Sequence, residues 1–149
     1  MQSIREGTFN IWIKDLSGEV SRLNEDYAWP AAWSPDGRYI ATILRSSGNF
    51  ELALIDVNDG KTERLTSGTV GRRPVWAPDG TAIYFVRRQE GTDVWSLSLE
   101  TREERKLTDF SDRRGTMRGL ETDGRHLYFS WEESFGDIWV MDIVANPNQ

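Results

Sequence analysis

Trp33-Ser34-Pro35-Asp36-Gly37 returns 43 residues later as Trp76-Ala77-Pro78-Asp79-Gly80. A worn third copy, Leu120-Glu121-Thr122-Asp123-Gly124, follows after 44 more. Pro-Asp-Gly is turn chemistry: proline presets φ, aspartate bonds the local backbone, and glycine takes positive φ. A turn repeated at a near-constant interval marks an internal repeat, and the repeat governs every later reading of the chain. Each turn leads into an apolar run: Tyr39 to Leu44, Ala82 to Val86, Leu127 to Trp131. Each run leads to a glycine loop at Gly48, Gly91 or Gly136.

A second signature follows each loop. It reads Glu51-Leu52-Ala53-Leu54-Ile55-Asp56, then Asp93-Val94-Trp95-Ser96-Leu97, then Asp137-Ile138-Trp139-Val140-Met141-Asp142. It also occurs near the start, as Asn10-Ile11-Trp12-Ile13-Lys14-Asp15. A short polar strand closes the unit: Arg22-Leu23-Asn24, Arg64-Leu65-Thr66, Lys106-Leu107-Thr108. The unit therefore has four strands, A to D. Strand A ends at the Trp or Leu before the turn. Strand B is apolar on both faces, which suits mid-sheet with sheets packed on either side. Strand D is short and charged, as an outer edge strand should be. No segment carries helical periodicity. Four short strands in a period of this length predict an all-β protein built from β-propeller blades. A β-sandwich has no reason to repeat one turn at this interval.

These residues resemble the TolB-like, or WD40-like, β-propeller repeat: an aromatic, Ser-Pro-Asp-Gly, an apolar strand, a glycine loop, Asp-Ile-Trp/Tyr-Val-Met-Asp, and a closing Arg-Leu-Thr. Trp33 to Thr66 and Trp76 to Thr108 match throughout. Gly124 to Asp142 matches after a turn that has lost the tryptophan and the proline. Related repeats occur in periplasmic TolB, in the propellers of prolyl-oligopeptidase-like and tricorn-type peptidases, and in sensor domains. The resemblance therefore implies a fold and leaves function open.

Strand counting predicts a half-ring in one domain over 1–149. It comprises a partial blade at 8–26 (C and D), full blades at 27–67 and 70–109, and a partial blade at 115–145 (A, B and C). Residues after Asp142 read as a frayed tail. Propellers have four to eight blades, and a six-bladed TolB-like ring would need about 260 residues at this period. An open half-ring would bare an apolar face at each end, more than a soluble monomer normally shows. The expected remedy is a homodimer joined through the end blades, giving six blades, two of them composite. One C strand per junction, Asn10 to Asp15 or Asp137 to Asp142, is then redundant; if both are kept, seven or eight blades result. The other reading is a fragment of a longer chain.

Composition excludes several functions. With 149 residues and 38% hydrophobic residues, there is enough chain for one cored domain, and no apolar stretch reaches the length of a membrane helix. The first six residues carry no apolar core of a signal peptide, so the chain as written is expected in the cytoplasm, or in the periplasm if a leader was removed. There is no cysteine, hence no disulfide or thiolate chemistry. A net charge of -6 argues against nucleic acid as a partner. The single histidine, His126, reads as an ordinary strand-end residue, and no Gly-x-Ser-x-Gly elbow is present. Asp56-Val57-Asn58-Asp59-Gly60 resembles the start of a calcium loop, but Ser67 stands where the twelfth-position glutamate belongs, so a C–D hairpin turn is expected. Gly68-Thr69-Val70-Gly71 has neither the length nor the lysine of a phosphate loop. No enzyme activity, metal or cofactor is expected.

Two features remain. Trp12, Trp95 and Trp139 share one repeat position and Trp33 and Trp76 another, so inter-blade packing is expected of them. Trp29, before Pro30 and equivalent to Arg72 and Thr116, is instead expected at the surface. The second feature is arginine. The D-to-A and B-to-C loops share one face of a ring, and on them lie Arg45, Arg72, Arg73, Arg87, Arg88, Arg113, Arg114 and Arg118, eight of the 18 basic residues. Arginine suits bidentate recognition of carboxylate or phosphate. The candidate ligand site is Trp29, Arg72, Arg73, Arg113, Arg114 and Arg118, facing an acidic peptide or another anion. The plain alternative is solvated arginines paired with Glu90, Asp109 and Asp112. The functional expectation is a non-catalytic binding or scaffold module. The alternatives are a fragment of a peptidase's gating propeller, and a half-propeller of engineered or evolutionary origin with no ligand.

Overall fold

The computed structural model describes residues 9–46, 48–68, 70–87 and 92–133. Among these residues all regular structure is β. The N-terminal sheet pairs β1 (Trp12–Lys14) with β2 (Val20–Arg22). The first full blade is a meander of β3 (Ala28–Trp33), β4 (Tyr39–Ser46), β5 (Asn49–Asp56) and β6 (Thr62–Arg64), hydrogen-bonded in that order. The second repeats it with β7 (Val70–Trp76), β8 (Ala82–Arg87), β9 (Asp93–Ser98) and β10 (Glu104–Lys106). A C-terminal sheet follows as one interrupted hairpin: β11 (Thr116–Met117) pairs with β14 (Trp131–Glu132), and β12 (Glu121–Thr122) with β13 (Leu127–Tyr128). These are the strands A to D of the repeat. The strand C expected at Asp137 to Asp142 lies outside the described residues.

The turn chemistry appears as predicted. Gly37, Gly80 and Gly124 hold φ of 73°, 73° and 88°, a region that costs an L side chain energy. In each turn the aspartate caps the backbone two residues on: Asp36 accepts from the amide of Arg38 (3.0 Å), Asp79 from Thr81 (3.0 Å), Asp123 from Arg125 (2.8 Å). The calcium-like loop is a hairpin turn, closed by the Gly60 amide on the Asp56 carbonyl at 2.9 Å.

Packing follows from the two apolar faces of the central strands. One face of the first blade (Ala41, Ile43, Leu52, Leu54) meets one face of the second (Val70, Trp76, Ile83, Phe85, Leu97) in the largest buried cluster. The other face of the second blade (Val75, Val86, Val94) packs on Met117 and Leu120 of the C-terminal sheet. Ile11 of the N-terminal sheet packs on Ala28, Leu44 and Ala53. Strand β7 touches β3 on one side and β12 on the other, so successive A strands line the inner edge of the stack. Strands β2 and β6 are exposed throughout and β10 nearly so, as outer edges.

Two of the tryptophan expectations need correction. Trp76 is buried in the seam, 8% exposed, but Trp33 at the same repeat position is 52% exposed. Trp12 is 60% exposed, whereas its equivalent Trp95 is half-buried beneath Arg87. A repeat position specifies which way a side chain points, and its burial depends on the sheet it meets. Trp139 lies outside the described residues.

Candidate functional site

The antiparallel meander puts the D-to-A and B-to-C connections at one edge of every sheet, as the sequence requires. How those connections are held came from a signal the arginines overshadowed. The residue pair that opens each strand C signature (Asn10-Ile11, Glu51-Leu52, Asp93-Val94) is latched to the residue that closes its strand D. The amide of Ile11 donates to Asn24 Oδ1 (2.8 Å), that of Leu52 to Thr66 Oγ1 (3.1 Å), and that of Val94 to Thr108 Oγ1 (2.9 Å). The acid or amide preceding each donor completes the latch. Asp93, 6% exposed, accepts from Thr108 Oγ1 (3.1 Å), the Phe110 amide (2.8 Å) and Lys106 Nζ (3.0 Å). Glu51 pairs with Arg64 at 2.6 Å, and Asn10 Nδ2 donates to the carbonyls of Asn24, Glu25 and Asp26. The spacing between donor and acceptor, 13 residues in the N-terminal sheet and 14 in each full blade, was legible in the sequence (Asn or Thr closing each strand D).

The candidate arginines divide. Arg73, on β7, and Arg118, just after β11, line one cleft of about 190 Å³ with Gly119, Leu120 and Glu121. Arg73 pairs with Glu121 at 3.3 Å and Arg118 with Glu132. Arg113 lies over the Phe110 ring, 5.8 Å from its centroid, where the ring's π face attracts a cation. Arg114 is exposed and has no ion pair among the described residues, and the same holds for Arg45. Arg72 lies in β7 and Trp29 in β3, but both side chains lie outside the described part, as does all of Arg88. Arg87 does not belong to the loop face. It ends β8, stacks over Trp95 (4.9 Å) and Phe85 (5.7 Å), and pairs with Glu104 at 2.5 Å. Among the described residues neither Asp109 nor Asp112 pairs with these arginines, and Glu90 lies outside the described part. Asp109 pairs with Lys106, and the acids on Arg73, Arg87 and Arg118 are strand residues from the same or the next sheet.

His126 stands in the A–B turn of the C-terminal sheet, on the opposite edge. Its Nδ1 is 3.1 Å from Asp123 Oδ2, which also accepts from the Tyr128 hydroxyl at 2.8 Å. The amides of Arg125 and His126, then the His126 ring and the Tyr128 hydroxyl, hold the Asp123 carboxyl well below the usual carboxylate range. The Tyr128 hydroxyl, donating to that carboxylate, is raised in turn. Among the described residues the ring of His126 meets Asp123 and Tyr128, and no serine completes a triad. The same residues assemble no group of three or more potential metal ligands.

Four-stranded antiparallel meanders stacked face to face, inner strands adjacent, define a β-propeller. Residues 1–118 match the TolB beta propeller domain model, and the chain belongs to that family. It is 31% identical over 106 residues to the Tol-Pal system protein TolB of Anaeromyxobacter dehalogenans, a match covering 68% of this chain and 24% of that protein. It is 32% identical over 124 residues to the uncharacterized peptidase YuxL of Bacillus subtilis, covering 75% of this chain and 19% of that protein. The structure assigned to TolB of Agrobacterium tumefaciens superposes with a TM-score of 0.72 at 20% identity, covering 87% of this chain and 48% of the other. The chain thus spans a quarter or less of the length of the two relatives it matches by sequence.

Proposed function

We propose that this chain is a non-catalytic propeller module that binds a carboxylate-bearing ligand, an acidic peptide or a similar anion, at the inner edge of its D-to-A loop face. The observation that carries the proposal is the shared cleft of Arg73 and Arg118, two guanidinium groups contributed by neighbouring sheets. Both are about half exposed and held by the exposed carboxylates of Glu121 and Glu132. Exposed ion pairs of this kind are worth at most about 1 kcal/mol, so a ligand carboxylate displaces them at little cost. A guanidinium fork then supplies paired hydrogen bonds to the incoming carboxylate. The working assembly in this reading is a closed ring, completed by a second copy joined through the end sheets.

The test is titration of a fluorescent oligoglutamate peptide at low salt. Saturable binding, weakened about tenfold or more by Arg73→Gln with Arg118→Gln, supports the proposal. Absence of binding by the parent chain at low salt refutes it.

The match to a peptidase supports a second reading, in which these blades belong to the propeller of a prolyl-oligopeptidase-like enzyme whose catalytic domain lies elsewhere in the gene product. A downstream α/β-hydrolase sequence in the source gene, with peptide hydrolysis by the full product, would establish it. Its absence would leave the binding module.

A further inference from the structure

The seam between the two full blades makes a contact that recurs, half-made, at both ends of the stack. Trp76 Nε1 donates to the carbonyl of Ala32 at 3.0 Å, and the indole packs in the cluster holding Ala32, Tyr39 and Ala41 of the preceding blade. Trp33 stands in the same register: it faces Ile40 across its hairpin as Trp76 faces Ile83. Its indole is nonetheless half exposed.

The two seams inside the chain show what such a side chain requires. Large Trp76 meets small Ala32, whereas Leu120, at the Trp76 position, packs with Val75, at the Ala32 position. The knob and the residue beneath it compensate in volume, as close packing demands. A slot for Trp33 therefore needs a very small residue at the Ala32 position, with an available carbonyl. That position in the C-terminal sheet is Gly119, which is exposed. A side chain there would find open room, its nearest neighbour being Ser130 Oγ at 3.8 Å. Tyr128, at the repeat position of Ala41 but paired with Glu121 in this sheet, is 55% exposed. Most of the exposed large apolar residues lie toward the two ends, Phe9, Trp12, Leu16, Val20 and Trp33 at one and Tyr128 and Phe129 in the C-terminal sheet, while Phe50 and Leu107 belong to the full blades.

We infer that Trp33 docks on the C-terminal sheet of a second copy of this chain, its Nε1 donating to the Gly119 carbonyl and its ring lying beside Tyr128 of that copy. The contact continues the Trp76–Ala32 seam from one molecule to the next. A two-fold ring makes it twice. Both halves of the contact are carried by this one chain and match in size, which favours a second copy over an unrelated partner. The inference rests on the ring-closure part of the proposed function and adds the contact that selects the partner.

Light scattering over a dilution series tests it, on the parent chain, Trp33→Ala and Gly119→Leu. The parent should show twice 17.1 kDa. Each variant should dissociate about tenfold or more readily, and combining them should add little, because they remove one contact. Trp33→Leu with Gly119→Val, copying the Leu120–Val75 pair, should restore the dimer. A dimeric parent that neither variant weakens overturns the Trp33–Gly119 contact and leaves ring closure standing. A parent that stays monomeric up to about 100 µM overturns both. Should the single variants lose their β-sheet circular dichroism, the double variant decides: a dimer upholds the contact and a monomer overturns it.

Discussion

Trp76 and Trp33 occupy one repeat position, precede near-identical turns and share one register, yet one is buried and the other half exposed. Phe85 and Phe129 differ in the same way: the first is fully buried in the seam and the second is 40% exposed on the C-terminal sheet. The two tryptophans share their local backbone, and what differs for them is the sheet opposite; Phe129 differs further, since it falls between β13 and β14 where Phe85 lies within β8. In a propeller, then, each blade face is specified by its own repeat but stabilised by its neighbour, and stability is a property of seams.

Paired substitutions measure that difference. The largest effect belongs to Phe85→Ala, which should cost about 3–5 kcal/mol in urea unfolding, the range for emptying a buried aromatic site. Phe129→Ala should cost about 1 kcal/mol or less, since it gives up a tilted ring contact with Phe110 and little burial. Equal costs would mean that the C-terminal sheet is packed as tightly as the seam. Next is the latch. Asp93→Ala strands the Phe110 amide and Lys106 beside a buried site and should cost about 2–3 kcal/mol. Glu51→Ala, removing the acid from the more open latch of the first blade, should cost about 1 kcal/mol or less by the same measurement.

A smaller contrast concerns the tryptophans themselves. Trp76→Phe removes the indole bond to Ala32 and should cost about 1 kcal/mol. Trp33→Phe in dilute monomer should stay within about 0.5 kcal/mol of the parent. A larger loss at Trp33 would show that its indole has a partner within its own chain.

The smallest effect is a pH dependence of the turns. The Asp36 carboxyl is lowered chiefly by the Ser34 hydroxyl, that of Asp79 by the Thr81 amide and hydroxyl, and that of Asp123 by the amides of Arg125 and His126. A folded pKa below the unfolded one means that the charged form is favoured by folding. The contribution is therefore complete above about pH 4 and lost as pH falls further. Melting temperatures at pH 6 and pH 3 should differ, and Asp123→Asn should narrow the gap more than Asp79→Asn, since its carboxyl is lowered further. No narrowing would mean that the acid loss resides elsewhere.

Much of this was legible in the residues. The turn repeated at Asp36, Asp79 and Asp123 gave the period, and the strands in between followed from it. The latch was legible too, in Asn24, Thr66 and Thr108 at the close of each strand D, but only once the hydrogen bonds gave those positions a purpose. The candidate site was legible only in part. Arg73 and Arg118 lie 45 positions apart, and nothing local says that one cleft holds both. Arg87 read as a loop residue because the glycine loop begins beside it, yet its side chain turns back over Trp95 and Phe85. Chain order also gave no hint of Glu121 and Glu132, which reach Arg73 and Arg118 from strands of the C-terminal sheet.

The sequence by itself determined the blade: its period, its turns, its strand order and the two apolar faces of its central strands. Those are local consequences of proline, aspartate and glycine at fixed offsets and of alternating side chains. Tertiary structure alone decided which tryptophan is buried, which arginine is stacked and which two share a cleft. Each of those outcomes depends on the surface presented by another sheet, and a repeat carries the same message to every blade whatever stands beside it.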